Sequence, residues 1–243
     1  MDEVKLSPRL QAVAAFIPRG AVVADIGTDH ALLPLYLVQE GIARRVIATE
    51  AYSGPWQRAV ENIAKAGLSE KIELRQGDGL APLAPGEAEV AVLAGMGGAT
   101  IRDILAAWPQ VAASFVRLVL QPMTAAGKLR CWLVRTGWRI AAEDLVPEGR
   151  RLYQVVVAER GEEEETDLLA VAVGPRLLAA RHPLLTRYLR ELLRREEEVI
   201  RGMLKAREKR PEIGEELKLR EERRRWLEEK LAKLAEEEKE NEG

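Results

Sequence analysis

The feature that most restricts the fold is an alternation of short β-branched runs with longer helical patterns. The runs are Val22–Ile26, Val46–Glu50, Ile72–Arg75, Val90–Ala94 and Phe115–Leu120, and the intervals hold helix candidates near 31–40, 54–66, 98–107 and 124–136. Strands that alternate with helices join a parallel sheet covered on both faces, and strands buried on both faces read as nearly continuous apolar runs. After Gly137 the rhythm changes. Trp138–Val146 and Leu152–Ala158 flank Pro147-Glu148-Gly149-Arg150-Arg151, a turn-rich connection with no room for a helix, which predicts an antiparallel hairpin closing the sheet. The expected fold class is α/β with a Rossmann-like sheet.

The last third has a different character. From Gly161 the chain is acidic and then helical, with breaks at Gly174-Pro175 and at Arg210-Pro211-Glu212-Ile213-Gly214. Before the second break Leu185, Leu189, Leu192, Val199, Met203 and Ala206 follow a 4-3 spacing interrupted by Glu196; after it Ile213, Leu217, Leu227, Leu231 and Leu234 do so, interrupted by Arg220 and Arg224. Seams this narrow predict an antiparallel, coiled-coil-like helical hairpin. At 243 residues the chain has the length of one large domain plus an appendage, so the expected domains are 1–160 and 161–243.

Composition removes several function classes. Hydrophobic residues at 47% and charged residues at 31% exclude both a disordered chain and a membrane-embedded one. The single Cys131 forms no internal disulfide, and with two histidines it supplies no His/Cys structural zinc site, so no metal is expected. A charged N-terminus and the lack of any apolar run near the ~18 residues of a spanning helix predict no membrane association and a cytoplasmic address. The net charge of −2 conceals a stretch, 176–225, with 16 basic against 10 acidic residues. That stretch could hold a polyanion, or it could be a solvated helix face with charges paired at i,i+4.

The candidate site lies at the carboxyl ends of the first four strands, where open α/β sheets bind ligands. The first strand ends in Asp25-Ile26-Gly27-Thr28-Asp29-His30-Ala31. A dinucleotide site would need G-x-G-x-x-G, but Asp29 stands where a second glycine belongs and would repel a pyrophosphate. S-adenosylmethionine carries no phosphate and has a cationic sulfonium and ammonium, so the same carboxylates favour it. Glu50, 25 residues after Asp25, sits at the spacing for ribose hydroxyls. Gly77-Asp78-Gly79 suits the adenine ring and its amine, and the glycines of Gly95-Met96-Gly97-Gly98 let backbone approach the place where a methyl group would leave. Five alternating strands followed by a hairpin is also the order of class I methyltransferases.

Taken with Leu6-Ser7-x-Arg9-Leu10, Pro34, Leu80, Ala94 and Leu120-Gln121-Pro122, these segments resemble the bacterial tRNA adenine-22 N1-methyltransferase family over residues 5–160. The chain departs from the family pattern at Met123, where Asn is usual, and at Leu32, where an aromatic residue is usual. The resemblance implies S-adenosylmethionine as donor, N1 of adenine 22 in tRNA as acceptor, and a C-terminal hairpin that binds tRNA. Adenine N1 has an in-plane lone pair, so orientation can supply much of the catalysis without a strong base. The lack of a D/N-P-P-Y/F/W segment argues against N6 chemistry. Asp29 is the candidate for stabilising the developing cation or accepting a proton from the N6 amine, with capping of the next helix as its alternative role. His30 is a candidate contact to base or cofactor, or a packed residue. Gln121, expected past the end of the fifth strand, would frame the base. Phosphate contacts are assigned to Arg9 and to Arg187, Arg190, Arg194, Arg195, Arg201, Lys205, Arg220, Arg223, Arg224 and Arg225. A monomer is expected, with self-association through the hairpin open. The competing readings are a methyltransferase acting on a small molecule or another RNA, and a non-catalytic RNA-binding module.

Overall fold

The structure, a computed structural model, describes residues 4–206 and 213–242. Its contacts divide the chain into two compact units between Leu177 and Leu178. In the first unit, helix α1 (Pro8–Ala15) leads into strand β1 (Ala21–Ile26), followed by α2 (Leu32–Gln39), β2 (Ala43–Glu50), α3 (Ser53–Lys65), β3 (Ile72–Gln76), β4 (Val90–Gly97), α4 (Gly98–Ala107), α5 (Pro109–Ser114), β5 (Arg117–Thr124), α6 (Ala126–Arg135), β6 (Trp138–Glu148), β7 (Arg151–Arg160) and α7 (Leu168–Val173). The short helix α8 (Pro175–Ala179) spans the division. The second unit is built on α9 (Leu185–Ala206) and α10 (Gly214–Glu242).

The sheet order is β3-β2-β1-β4-β5-β7-β6, with β1 to β5 parallel and β7 antiparallel to both neighbours. This order places the end of β1 between the ends of β2 and β4. Alternation along β1 divides the core into two layers. Ala21 and Val23 pack with Val13, Leu37 and Ile63 on one face, and Val22, Ala24 and Ile26 pack with Ile101, Leu105 and Leu129 on the other. Among the described residues no helix is long and apolar enough to cross a membrane.

The first unit extends beyond the boundary expected at 160, because the acidic segment is tied to the sheet. Arg130 and Glu143 form a fully buried ion pair at 2.6 Å, and Arg130 Nη1 also donates to the Ala172 carbonyl. The second Glu143 oxygen accepts the Arg176 main-chain N–H, while the Arg176 guanidinium meets Glu163 at 2.5 Å. Glu163 in turn accepts the Ile140 main-chain N–H at 2.7 Å. A loop rich in carboxylates thus becomes part of the fold through two arginines.

In the second unit, α9 and α10 pack against each other through buried Leu185, Leu189, Leu192, Ile200, Leu217 and Leu227. The expected seam is corrected at one position: Val199 is 39% exposed, and Ile200 takes the inward place. Glu196, read as an interruption, is buried. One of its oxygens accepts from Arg220 Nη1 at 2.9 Å, and the other lies 3.3 Å from Arg223 Nε. Most of the break expected at 210–214 falls outside the described residues, which resume at Ile213.

Candidate active site

The turn after β1 is held by one carbonyl. The N–H groups of Gly27 and Thr28 both donate to Thr49 O at 2.9 Å, and the Ala31 N–H closes onto Thr28 O at 3.0 Å. Gly27 has φ +71°, a left-handed conformation that favours glycine, and a Cβ there would stand 2.5 Å from Met96 Cε, which places the Met96 side chain against the turn after β1. Asp29 and Ala31 also take left-handed backbone, at φ +53° and +57°. Glu50 closes the second side. Its two carboxylate oxygens accept the main-chain N–H groups of Asp29 and Tyr52, each at 3.0 Å, and each oxygen keeps a lone pair for a further donor. The Gly77 N–H donates to Glu50 O, and the Thr49 hydroxyl donates to Gly79 O, which tethers the turn holding Asp78 to the end of β2. The structure therefore brings Asp25, Gly27, Thr28, Glu50, Gly77 and Gly79 onto one edge of the sheet.

Asp25 lies buried at the end of β1. Burial pushes its carboxyl up to about 6, the neighbouring Thr28 side chain acts in the opposite direction, and the Glu50 charge adds to the rise. Asp29 does not cap the following helix: Ala31 occupies that position without a side-chain cap, and the Asp29 carboxylate is exposed, 3.5 Å from His30 Nε2. His30 is half-buried. Its ring also lies 3.4 Å from Arg58 Nη1, and its carbonyl accepts from Asn62. Arg58 had no motif to announce it.

Beside β1, the Gly95-Met96-Gly97 segment continues β4 instead of leaving it as a loop, and β5 runs on through Gln121 and Pro122 to Thr124. Met96 pairs with Pro122 across a bulge, which is how a proline without an N–H is accommodated in a strand. The expectation that Gln121 lies past the end of the strand and frames a base is corrected. Gln121 is fully buried; its Oε1 accepts from Arg9 Nη1 at 2.6 Å and from the Gly95 N–H at 3.1 Å, and its Nε2 faces Met123 Sδ at 3.6 Å. Arg9, on α1, is placed further by its main-chain N–H to Glu148 at 3.1 Å and by the Tyr153 ring, 5.6 Å from the guanidinium carbon. Glu148 and Tyr153 come from the closing hairpin, and nothing local in the sequence marked them.

The hairpin cations divide into three groups. Arg220 and Arg223 are engaged with Glu196, so their expected availability to phosphates is corrected. Arg187 pairs with Glu191, Arg224 with Glu228, and Arg194 and Arg195 lie 4.0 Å from Glu198 and Glu191. Such pairs on exposed helix surface are weak and screened, and they yield to a stronger anion. Arg190, Arg201, Lys205 and Arg225 are exposed.

The donor set fits S-adenosylmethionine on its charge. Asp25, Glu50 and Asp29 surround the turn after β1, matching a ligand that is cationic at sulfur and nitrogen, and Gly95, exposed with φ +77°, leaves backbone open beside them. A family model described as a methyltransferase domain matches residues 6–156. The chain is similar to the tRNA (adenine(22)-N(1))-methyltransferase of Bacillus subtilis, with 43% identity over 175 residues, covering 72% of this chain and 74% of that protein. The crystal structure of the B. subtilis M1A22 tRNA methyltransferase TrmK matches with a TM-score of 0.86 and 35% identity over 94% of this chain and 100% of that one. Streptococcus pneumoniae Sp1610, solved in complex with S-adenosyl-L-methionine, matches with a TM-score of 0.82 and 32% identity, covering 93% of this chain and 100% of that one.

Proposed function

The chain belongs to the bacterial tRNA (adenine-22 N1)-methyltransferase family, and on that premise we propose that it transfers a methyl group from S-adenosylmethionine to N1 of adenine 22 in tRNA. The observation that carries this reading is the carboxylate-lined turn at the end of β1, which meets the end of β4 through the contact between Gly27 and Met96. Asp25, Gly27, Thr28, Glu50, Gly77, Asp78, Gly79, Gly95, Met96 and Gly97 would hold the cofactor, which when bound supplies an electrophilic methyl group on sulfur. Glu50 would receive ribose hydroxyls on its remaining lone pairs, and Asp78, exposed on its turn, would receive the adenine amine. Asp29, exposed at the mouth with His30 beside it, would face the positive charge that grows on the target base and take the proton of its N6 amine. Neither residue removes a proton before attack, since adenine N1 is nucleophilic as it stands. The exposed cations of α9 and α10 would take tRNA phosphates, and their energy would offset the few kcal/mol of turning a base out of its stack. The reading includes a monomer working in the cytoplasm.

The test is transfer of labelled methyl to tRNA, with nucleoside analysis and a tRNA variant carrying guanine at position 22. N1-methyladenine is expected with the native tRNA and not with the variant. Cofactor binding without methyl incorporation into tRNA would move the acceptor to another RNA or a small molecule.

Asp25 makes a second expectation. Below about pH 6 its raised carboxyl is protonated and gives up its attraction for a cationic ligand, so cofactor affinity is expected to fall as pH drops through that value. The opposite sign holds for stability without ligand. The folded state binds a proton between 3.8 and about 6 that the unfolded state has lost, so stability falls as pH rises through this window. Asp25→Asn is therefore expected to stabilise the ligand-free protein at pH 7 by up to roughly 2 kcal/mol while weakening cofactor binding. Calorimetry of both, from pH 5 to 8, checks the pair; a pH-independent cofactor affinity would remove Asp25 from the binding set.

A further inference from the structure

Arg9 brings a positive charge to a mouth otherwise lined with carboxylates suited to cations. Its Nη1 donates to a neutral amide, and the nearby Glu148 carboxylate accepts the Arg9 main-chain N–H rather than pairing with the guanidinium. Among the described residues no carboxylate pairs with this guanidinium, whose other partner is the face of Tyr153. A Cβ on Gly95 would stand 3.5 Å from Arg9 Nη1, so the cation lies at the end of β4. In the proposed reaction both the methyl donor and the N1-methyladenine product are cationic there. A guanidinium with no carboxylate in direct contact keeps N–H donors available for an anionic oxygen that arrives with the substrates.

We infer that Gln121 is a positioning residue that holds Arg9 in place without neutralising it, and that Arg9 is thereby the oxyanion receptor of the catalytic mouth. Gln121 has the features this role needs. It is fully buried, its oxygen serves two donors at once, and its orientation is fixed because those donors require the oxygen on their side. A glutamate would accept the same two hydrogen bonds but would cancel the charge; the amide keeps the geometry and leaves the charge available. This reassigns Gln121 from touching the base to acting through Arg9. The inference rests on the methyltransferase reading. Two sources of the oxyanion share one chemistry: a phosphate of the bound RNA and the amino-acid carboxylate of the cofactor.

The test compares Gln121→Glu, Arg9→Gln and the double variant with the wild type. Cofactor dissociation constants, kcat and KM for tRNA, and the dependence of KM on salt are measured, with thermal melting alongside. If the oxyanion is a phosphate, both single variants raise KM for tRNA about tenfold or more and lower the log–log salt slope by about 1, with cofactor affinity unchanged. If it is the carboxylate, cofactor affinity falls by a similar factor and the salt slope stays. In either case the double variant is no worse than Arg9→Gln alone, because Gln121 acts only through Arg9. Losses that multiply in the double variant, or wild-type values on both arms, overturn the inference. Should Gln121→Glu fail to fold, Arg9→Lys and Arg9→Gln decide: lysine keeps the charge and should recover part of the loss, and equal loss from both would count against an oxyanion receptor. A wild-type enzyme that leaves adenine 22 unmethylated would refute the proposed reaction, while the cofactor arm would still judge Arg9.

Discussion

A chain ended after Leu177 is expected to fold and bind S-adenosylmethionine but to lose tRNA methylation by at least about a hundredfold, whereas one ended after Arg160 is expected not to fold. The contrast follows from how the chain is tied together. The first unit contains the whole sheet, the carboxylate-lined turn and Arg9 with its supports, and its boundary falls between Leu177 and Leu178. Cutting there removes the helices that carry the exposed cations assigned to tRNA phosphates. Every phosphate deprived of its cation weakens binding by a salt-dependent factor, and these factors multiply over several phosphates. Cutting at 160 instead removes Glu163, Ala172 and Arg176, so Arg130 loses its carbonyl acceptor and Glu143 a main-chain donor, both at fully buried positions. Calorimetric melting and cofactor titration of the two truncations check the folding half, and methyl incorporation into tRNA checks the other. Undiminished tRNA methylation by the 1–177 chain would show that the hairpin is not the anchor for RNA.

Arg130→Met is expected to destabilise the first unit by about 3–5 kcal/mol, the range for breaking a buried ion pair by removing one partner. The side chains of Arg130 and Glu143 are both fully buried, and among the described residues the methionine variant leaves the Glu143 carboxylate with only the Arg176 main-chain N–H, in a place water does not reach. In a unit of this size the fall corresponds to roughly 10 °C in melting temperature. Replacing both partners, Arg130→Met with Glu143→Leu, should recover much of the loss, because the cost lies in the stranded charge more than in the absent attraction. Melting curves of the single and double variants test this; a single variant as stable as the wild type would show that the buried pair contributes no net stability.

What the sequence made legible was local. β-branched runs located the five parallel strands, because strands buried on both faces leave their composition in every residue; a turn-rich connection located the closing pair, and the glycine and carboxylate signals after the first four strands met on one edge. What escaped depended on distant partners. The fifth strand read as ending at Leu120, since nothing nearby says that β4 bulges at Gly95 and sets Met96 opposite Pro122. The acidic run after Gly161 read as the start of a separate domain, because the arginines that bury Glu163 and anchor α7 reveal themselves only in three dimensions. Helix α1 did carry a signal, Pro8 at its first position after Ser7, which is a common helix start. Arg220 interrupted the seam and Arg223 lay beside it, but both were assigned to phosphates because nothing local in the sequence names Glu196 as their partner.

The buried carboxylate of Glu196 bears on how the hairpin avoids misassembly. Leucine seams slide readily, since a shift of one turn exchanges one leucine for another at little cost. A slip of one turn that set Leu217 opposite Glu196 in place of Arg220 would leave a buried carboxylate against leucine, and one in the other direction would give up the double contact with Arg220 and Arg223. That penalty works as a latch: sliding, and exchange with a second hairpin in the wrong alignment, both break it, and of the many ways two leucine-faced helices can lie together one is singled out.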